Sequence, residues 1–191
     1  KNFNKYASNS KLTIYMRPEF IDDEMIEILK VSNIKEIRIG IQTINNNVPK
    51  WIRSNSLYHI LNELPKLHEN NIPWKAELII GLPGDNIDGL KKSIDFVEEI
   101  LKPTEYCCYP LTLIDGTPIY DLVNNFENEN WIVMDENKNA FESSSYSHDD
   151  LLLMQKYAIE RMNNYLEQSE ILACQKIKKI NRNKIMYKGT E

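Results

Sequence analysis

The sequence predicts an α/β fold, with parallel strands and helices packed outside them. Three observations carry that prediction. Short segments rich in β-branched residues alternate apolar and polar positions, the segments between them repeat apolar residues at steps of three and four, and the two kinds take turns along the first two-thirds of the chain. Strand, helix, strand, helix in that order makes βαβ units with right-handed crossovers.

The first strand is read at 11–16, "KLTIYM". Asp22 or Asp23 then caps a helix that runs to about Lys30, with Met25, Ile28 and Leu29 inward. The second strand, 36–43, sets Ile37, Ile39 and Ile41 on one face and Arg38, Gly40 and Gln42 on the other. "VPKWIR" reads as one short helical turn. Ser56 starts a helix with Leu57, Ile60, Leu61, Leu64 and Leu67 inward, and Pro65 is expected to kink or split it. "WKAELII", 74–80, is the third strand, followed by the turn Gly81-Leu82-Pro83-Gly84. A helix then spans about Ile87 to Leu101, with Asp85 as its cap and Ile87, Leu90, Ile94, Val97 and Leu101 inward. A fourth strand is read at 105–114. Beyond Gly116 come a short helix in "PIYDLVNNF", a β-excursion around a polar turn at 135–139, and a helix from about His148 to Tyr165. That last helix has Leu151, Met154, Ala158, Met162 and Tyr165 inward. Trp131, Phe141 and Tyr146 with Asp135 and Glu136 either cover the open bottom of the sheet or touch substrate, and packing is the preferred reading.

The 191 residues suit one domain, or one core with an appendage, and 42% hydrophobic with 27% charged residues is ordinary for a globular chain. A net charge of −5 gives no electrostatic reason to expect nucleic acid as a partner. No apolar run is long enough to cross a bilayer. The basic tail at 176–191 reads as a frayed, solvated terminus. Cys107, Cys108 and Cys174 are odd in number and lack CxxC spacing, which argues for a reducing, cytoplasmic setting and against a disulfide framework. Cys107 and Cys108 are adjacent on a strand, so they point to opposite faces and make a poor shared metal site. Because the sequence opens on Lys1 rather than Met, the expectation is a processed chain or a piece of a longer protein.

Three polar residues sit where a packed core does not need them. Ligands of parallel β/α folds bind beyond the carboxyl ends of the strands. Gln42 ends the second strand, Arg53 follows it after a loop, and Glu77 lies one step before the apolar run of the third. A carboxylate there can accept hydrogen bonds from a diol, an arginine fork can hold a carboxylate, and an amide can do either. Each also has a plainer reading: a strand-end hydrogen-bonder for Gln42, a surface residue for Arg53, a solvated strand end for Glu77. Periodicity alone stops at an α/β domain with a ligand mouth.

Four strings add a resemblance. "IRIGIQTINNNVPKWIRSN", "AELIIGLPGDNIDGLKKSIDFV", "LTLIDGTPIYD" and "LTIYMRPEFIDDEMIEIL", together covering about 11–122, resemble segments in the carboxyl half of the radical S-adenosylmethionine (radical SAM) catalytic barrel. The resemblance implies a partial (β/α) barrel, half of a TIM-like barrel, over 1–122, a β-excursion and helix packed on it over 123–175, and the basic tail. The nearest branch by these strings is one often fused to a cobalamin-binding domain, which implies cobalamin in a separate domain.

The resemblance also implies roles. Gln42 would contact the amino-acid part of S-adenosylmethionine (SAM), Arg53 would pair with its carboxylate, and Glu77 would accept the ribose hydroxyls. The backbone around Ile80 to Leu82 would pass the adenine, with Gly40 and Gly81 leaving room for close approach. Tyr15 stands where relatives often carry a glutamate. The CxxxCxxC loop that ligates the family's [4Fe–4S] cluster and the Gly-Gly-Glu segment are absent from these residues. The expectation is therefore a segment of a radical SAM iron–sulfur oxidoreductase or transferase that supplies part of the SAM-binding wall and is inactive alone. Its partners would be the other half of the barrel and a peptide or small-molecule substrate, with no membrane. Two alternatives stay open: a non-catalytic interaction module derived from the same half barrel, and a different β/α enzyme that binds phosphate at Gly81 to Asp85.

Overall fold

A computed structural model describes residues 10–52 and 56–187, with side chains in the last helix as far as Ile171. Four parallel strands form one sheet in the order of the chain: β1 (Leu12–Met16), β2 (Ile34–Gln42), β3 (Trp74–Ile80) and β4 (Glu105–Pro110). Helices α1 (Asp23–Lys30), α2 (Leu57–Glu63), α3 (Pro65–Glu69) and α4 (Ile87–Asp95, continued by a π-type stretch at Phe96–Leu101) form the crossovers. Consecutive strand order with helices on one face is an arc of a (β/α) barrel, as the resemblance implies; a doubly wound sheet reverses its order midway.

The pleat explains why only one face is covered. Ile37, Ile39, Ile41, Trp74, Ala76, Leu78, Ile80 and Tyr106 are buried on one side, packed with Ile26, Leu29, Ile60, Leu64, Leu67, Leu90, Ile94 and Val97 from the helices. On the other side the paired positions are Tyr15, Arg38 and Lys75, then Gly40, Glu77 and Cys107. This second face is polar and carries no helix from the crossovers. It corresponds to the lumen of the barrel.

Local chemistry sets the element ends. The Asp22 side chain accepts the Met25 amide at 2.8 Å and caps α1. Within α1 Ile26 and Leu29 are buried and Met25 packs partly against the core; Ile28, expected inward, is 46% exposed. Pro65 splits the helical stretch as expected, because it lacks an amide to continue the ladder, and α3 starts at that residue. Leu57 and Leu61 stay on the exposed side of α2, while Ile60, Leu64 and Leu67 turn inward. The "VPKWIR" stretch makes turns rather than a helix among its described residues, with Val48 buried. Asp85 does not cap α4. Asn86 does, its side chain accepting the Gly89 amide at 2.9 Å.

β4 stops at Pro110, short of the expected Ile114, because the chain there leaves the sheet for the late hairpin. Strands β5 (Ile132–Met134) and β6 (Ala140–Ser143) pair antiparallel around the polar turn, where Asp135 accepts the Asn137 and Asn139 amides. The hairpin packs, but at the carboxyl ends of β3 and β4 rather than at the opposite end. Ala140 donates to the Leu111 carbonyl, Leu113 to that of Lys138, and the buried Tyr146 hydroxyl to that of Gly81 at 2.6 Å. Helix α5 (His148–Tyr187) runs well past Tyr165 and lies against β4 and α4 through Leu151, Met154, Ala158, Met162 and Tyr165. Tyr146→Phe keeps the ring and deletes the bond to Gly81. A loss of about 1–2 kcal/mol in urea unfolding is expected, and an unchanged midpoint would mean the bond does not hold the turn. No helix among the described residues is long and apolar enough to cross a membrane.

Candidate functional site

The polar face gathers two of the three residues singled out from the sequence. Gly40, Gln42 and Glu77 line one cavity of about 240 Å³, with Ile79, the β4 end Tyr109 and Pro110, and Leu111 and Thr112 just beyond it. Gly40 and Glu77 also line a neighbouring cavity of about 610 Å³ bounded by Tyr15, Arg17, Arg38, Phe20 and Met25. The shared residues make the two a continuous trough over β1 to β4, large enough for a nucleoside-sized ligand. Arg53 lies outside the described residues. Gly81 and Leu82 are not brought to the trough: the Gly81 carbonyl accepts Tyr146, and Leu82 is buried in a second apolar cluster with Val48, Leu111, Leu113, Ile132 and Ala140.

Gln42 owes its aim to a distorted strand end. The β2–β3 register shifts between Gly40 and Gln42, so Gly40 pairs with Glu77 but Gln42 pairs with Leu78. That bulge would turn Gln42 toward the helices if the strand continued regularly. Instead Gln42 adopts φ 64°, and Thr43 donates to the Ile41 carbonyl at 2.8 Å, closing a tight three-residue turn of the γ type. The left-handed backbone is unfavourable for a glutamine, and such strain concentrates where a side chain has a task. Here the Oε1 atom of Gln42 is fully buried and accepts no hydrogen bond among the described residues. A buried acceptor without a donor costs about 1–3 kcal/mol, a cost that a small turn of the amide toward a ligand N–H or O–H in the cavity would relieve.

Glu77 sits in the middle of the trough with its side chain 19% exposed. Its nearest cation is Arg38, at 3.7 Å, and that guanidinium already holds Glu36 at 2.9 Å and takes Tyr15 as a second partner at 3.3 Å. Tyr15, which stands at the position where the resemblance leads one to expect a glutamate, accepts from Arg38. Burial raises the Glu77 carboxyl above its ordinary range, and the distant Arg38 and Lys75 only partly oppose this. Lys75 is committed to Glu105 at 2.5 Å. The Glu77 carboxylate accepts no hydrogen bond in the described geometry other than this long ion pair, which leaves its lone pairs facing the trough.

Sequence periodicity gives no sign of the buried polar cluster behind Gln42. Asp85, Thr43 and Ser93 are each at most 2% exposed. Asp85 accepts from Asn45 Nδ2 at 2.8 Å, from the Asn86 amide at 2.9 Å and from Thr43 Oγ1 at 3.3 Å. A carboxylate beside a glycine turn is legible; its partner two elements earlier is not.

Among the described residues nothing fits a [4Fe–4S] cluster. Cys107 faces the open side and Cys108 is buried on the other, its thiol pushed up to about 12 chiefly by burial. Among the described residues no three His, Cys, Asp or Glu side chains gather as ligands.

Comparison with known proteins agrees with the fold. The family model "Radical SAM superfamily" matches residues 3–97. The chain is 32% identical over 122 residues to the ribosomal protein uS12 methylthiotransferase RimO of Clostridioides difficile, covering 61% of this chain and 27% of that protein. It is 32% identical over 112 residues to the heme chaperone HemW of Lactococcus lactis, covering 56% and 28%. Among solved structures, coproporphyrinogen III oxidase HemN of Escherichia coli superposes with TM-score 0.59 at 16% identity over 85% of this chain and 33% of that one. Elp3 of Methanocaldococcus infernus gives 0.57 at 16%, over 79% and 42%. The fold is a parallel α/β sheet that resembles part of a (β/α) barrel, with a polar trough on its open face. The chain belongs to the radical SAM superfamily. It spans roughly a fifth to a third of the length of the curated relatives it matches.

Proposed function

We propose that this chain forms one wall of a SAM-binding site in a radical SAM enzyme, an oxidoreductase or group-transfer enzyme. Glu77 accepts the ribose hydroxyls, Gln42 accepts from the amino-acid part of the ligand, and Arg53 pairs with the ligand carboxylate. The observation that carries the reading is that Gln42, held in a strained turn with an Oε1 that has no donor among the described residues, lines the same cavity as Glu77. In the family the iron–sulfur cluster supplies the electron that cleaves SAM. The side chains described here bind and orient the ligand, and the cluster ligands belong elsewhere in the parent protein. The TsrM methyltransferase of Kitasatospora setae, solved with a SAM analog, superposes with TM-score 0.54 at 13% identity. Cobalamin is bound in another structure of that protein, but likeness at this identity carries the fold and not the cobalamin. Gly81 and Leu82 face the hairpin, so an adenine contact there has no support from the geometry.

The phosphate alternative is disfavoured because the amides of Gly84, Asp85, Asn86 and Gly89 are occupied. Gly84 donates to Ser145, Asp85 to Leu82, Asn86 to Asp85 and Gly89 to Asn86, and the Asp85 carboxylate sits among them. Titration calorimetry with SAM and with ATP tests the proposal. SAM binding that weakens at least about tenfold in Gln42→Leu, with no ATP binding, is the expected result. ATP binding in preference to SAM, or SAM binding indifferent to residue 42, would overturn it.

A further inference from the structure

We propose that Asp85 is a positioning residue for the ligand site: it latches the loop after β2 against the turn after β3 and so holds Gln42 in its strained, cavity-facing conformation. The proposal rests on the reading of Gln42 as a ligand contact. A strained turn persists only where its surroundings over-determine it. Here the surroundings are specific. Thr43, the residue that closes the tight turn, gives its hydroxyl to Asp85 and lies 3.1 Å from Ser93 Oγ. Three of the next four amides are taken within the same cluster. Ile44 donates to Ser93 Oγ at 3.1 Å, Asn45 to Thr43 Oγ1 at 3.0 Å, and Asn47 to the Asn45 side chain at 3.0 Å. Asn45 then reaches across to Asp85 at 2.8 Å.

The two segments also approach too closely for side chains between them. A Cβ on Gly89 would lie 2.1 Å from Asp85 Oδ1 and 2.2 Å from Asn45 Nδ2. One on Gly84 would lie 2.4 Å from the Asn47 carbonyl oxygen. The carboxylate is buried and its proton affinity is raised by that burial, offset by the three donors it receives. Residues that merely end a helix do not require such a contact; Asn86 already performs that task.

The test compares Asp85→Asn, which keeps an acceptor oxygen for Asn45 and Asn86, with Asp85→Ala, each in the wild-type and Gln42→Leu backgrounds. Two readouts are taken: SAM affinity by calorimetry and amide hydrogen exchange at Ile44, Asn45 and Asn47. Asp85→Ala should accelerate exchange at these amides and weaken SAM about tenfold, whereas Asp85→Asn should stay within about threefold of wild type. In the Gln42→Leu background the alanine change should cost at most about twofold, because the two residues act through one contact. Equal losses in both backgrounds, or unaltered exchange in Asp85→Ala, would overturn the proposal. Wild-type protein that binds no SAM would remove the ligand reading, while the exchange result still judges whether Asp85 holds the loop.

Discussion

Glu77→Gln is expected to weaken SAM binding by about 10–100-fold while leaving the protein at least as stable as wild type. Hydrogen bonds to a charged acceptor are worth about 1.5–3 kcal/mol, and the amide replaces one of two acceptor oxygens by a donor that a ribose diol can use less well. Stability moves the other way, because folding removes the Glu77 carboxylate from water with only a long contact to Arg38 in return. The sign of the pH dependence follows. A carboxyl raised on folding binds a proton more tightly in the native state, so its contribution to stability falls as pH rises from the ordinary carboxylate range through the raised value. SAM affinity runs opposite: it falls as pH drops through that raised value, at a higher pH than an exposed glutamate would give. Calorimetry and urea unfolding between roughly pH 4 and pH 7 measure both slopes, and the glutamine variant should lose this component of each. A Glu77→Gln protein with wild-type affinity would remove Glu77 from the site.

Gly84→Ala is expected to be the most damaging single methyl in the described chain. Gly84 has φ 84°, and the added carbon would stand 2.4 Å from the Asn47 oxygen and 2.9 Å from its carbonyl carbon. Both contacts are backbone, so neither can rotate away. Left-handed strain of about 1–2 kcal/mol adds to the overpacking, and a loss of about 3 kcal/mol or more follows, roughly 6–12 °C in melting temperature. Gly116→Ala is the matched control. It has φ 81° but nothing within 4 Å of the added carbon, so only the strain remains, about 1–2 kcal/mol. Equal losses at the two positions would show that the loop and the turn are not in contact.

Much of the fold is legible in the sequence because burial imposes a period. The expected and observed ends of β3 coincide, and the Ile37, Ile39, Ile41 row, the α4 stripe and the break at Pro65 all follow from one face meeting the core. Ile28 misleads because positions three and four apart both fit a short helix, and only packing selects Ile26. The end of α5 is hidden because its apolar stripe fades past Tyr165 while the helix continues.

In the site, Glu77 stands out as an acid in an apolar strand, and Gln42 as the strand end opposite the isoleucine row. That both share a face follows from the alternation of a regular strand. What carries Gln42 there does not. A positive φ, a register shift and a bond from Asn45 to an acid in another crossover leave no periodic trace. Asp85 reads as a cap because cap signals are local, and its real partners are brought near only by the completed sheet.

The sheet order has a consequence for how the protein assembles during synthesis. Every parallel pairing joins strands that are consecutive in the chain, so each new strand finds the neighbour it requires already made. The connecting segments to be closed are short, and lengthening a loop adds entropy only logarithmically. Nascent chain can therefore add one strand-and-helix step at a time as it emerges, and the Asp85 contact, which needs β2 and β3 both in place, becomes available only when the second pairing is complete.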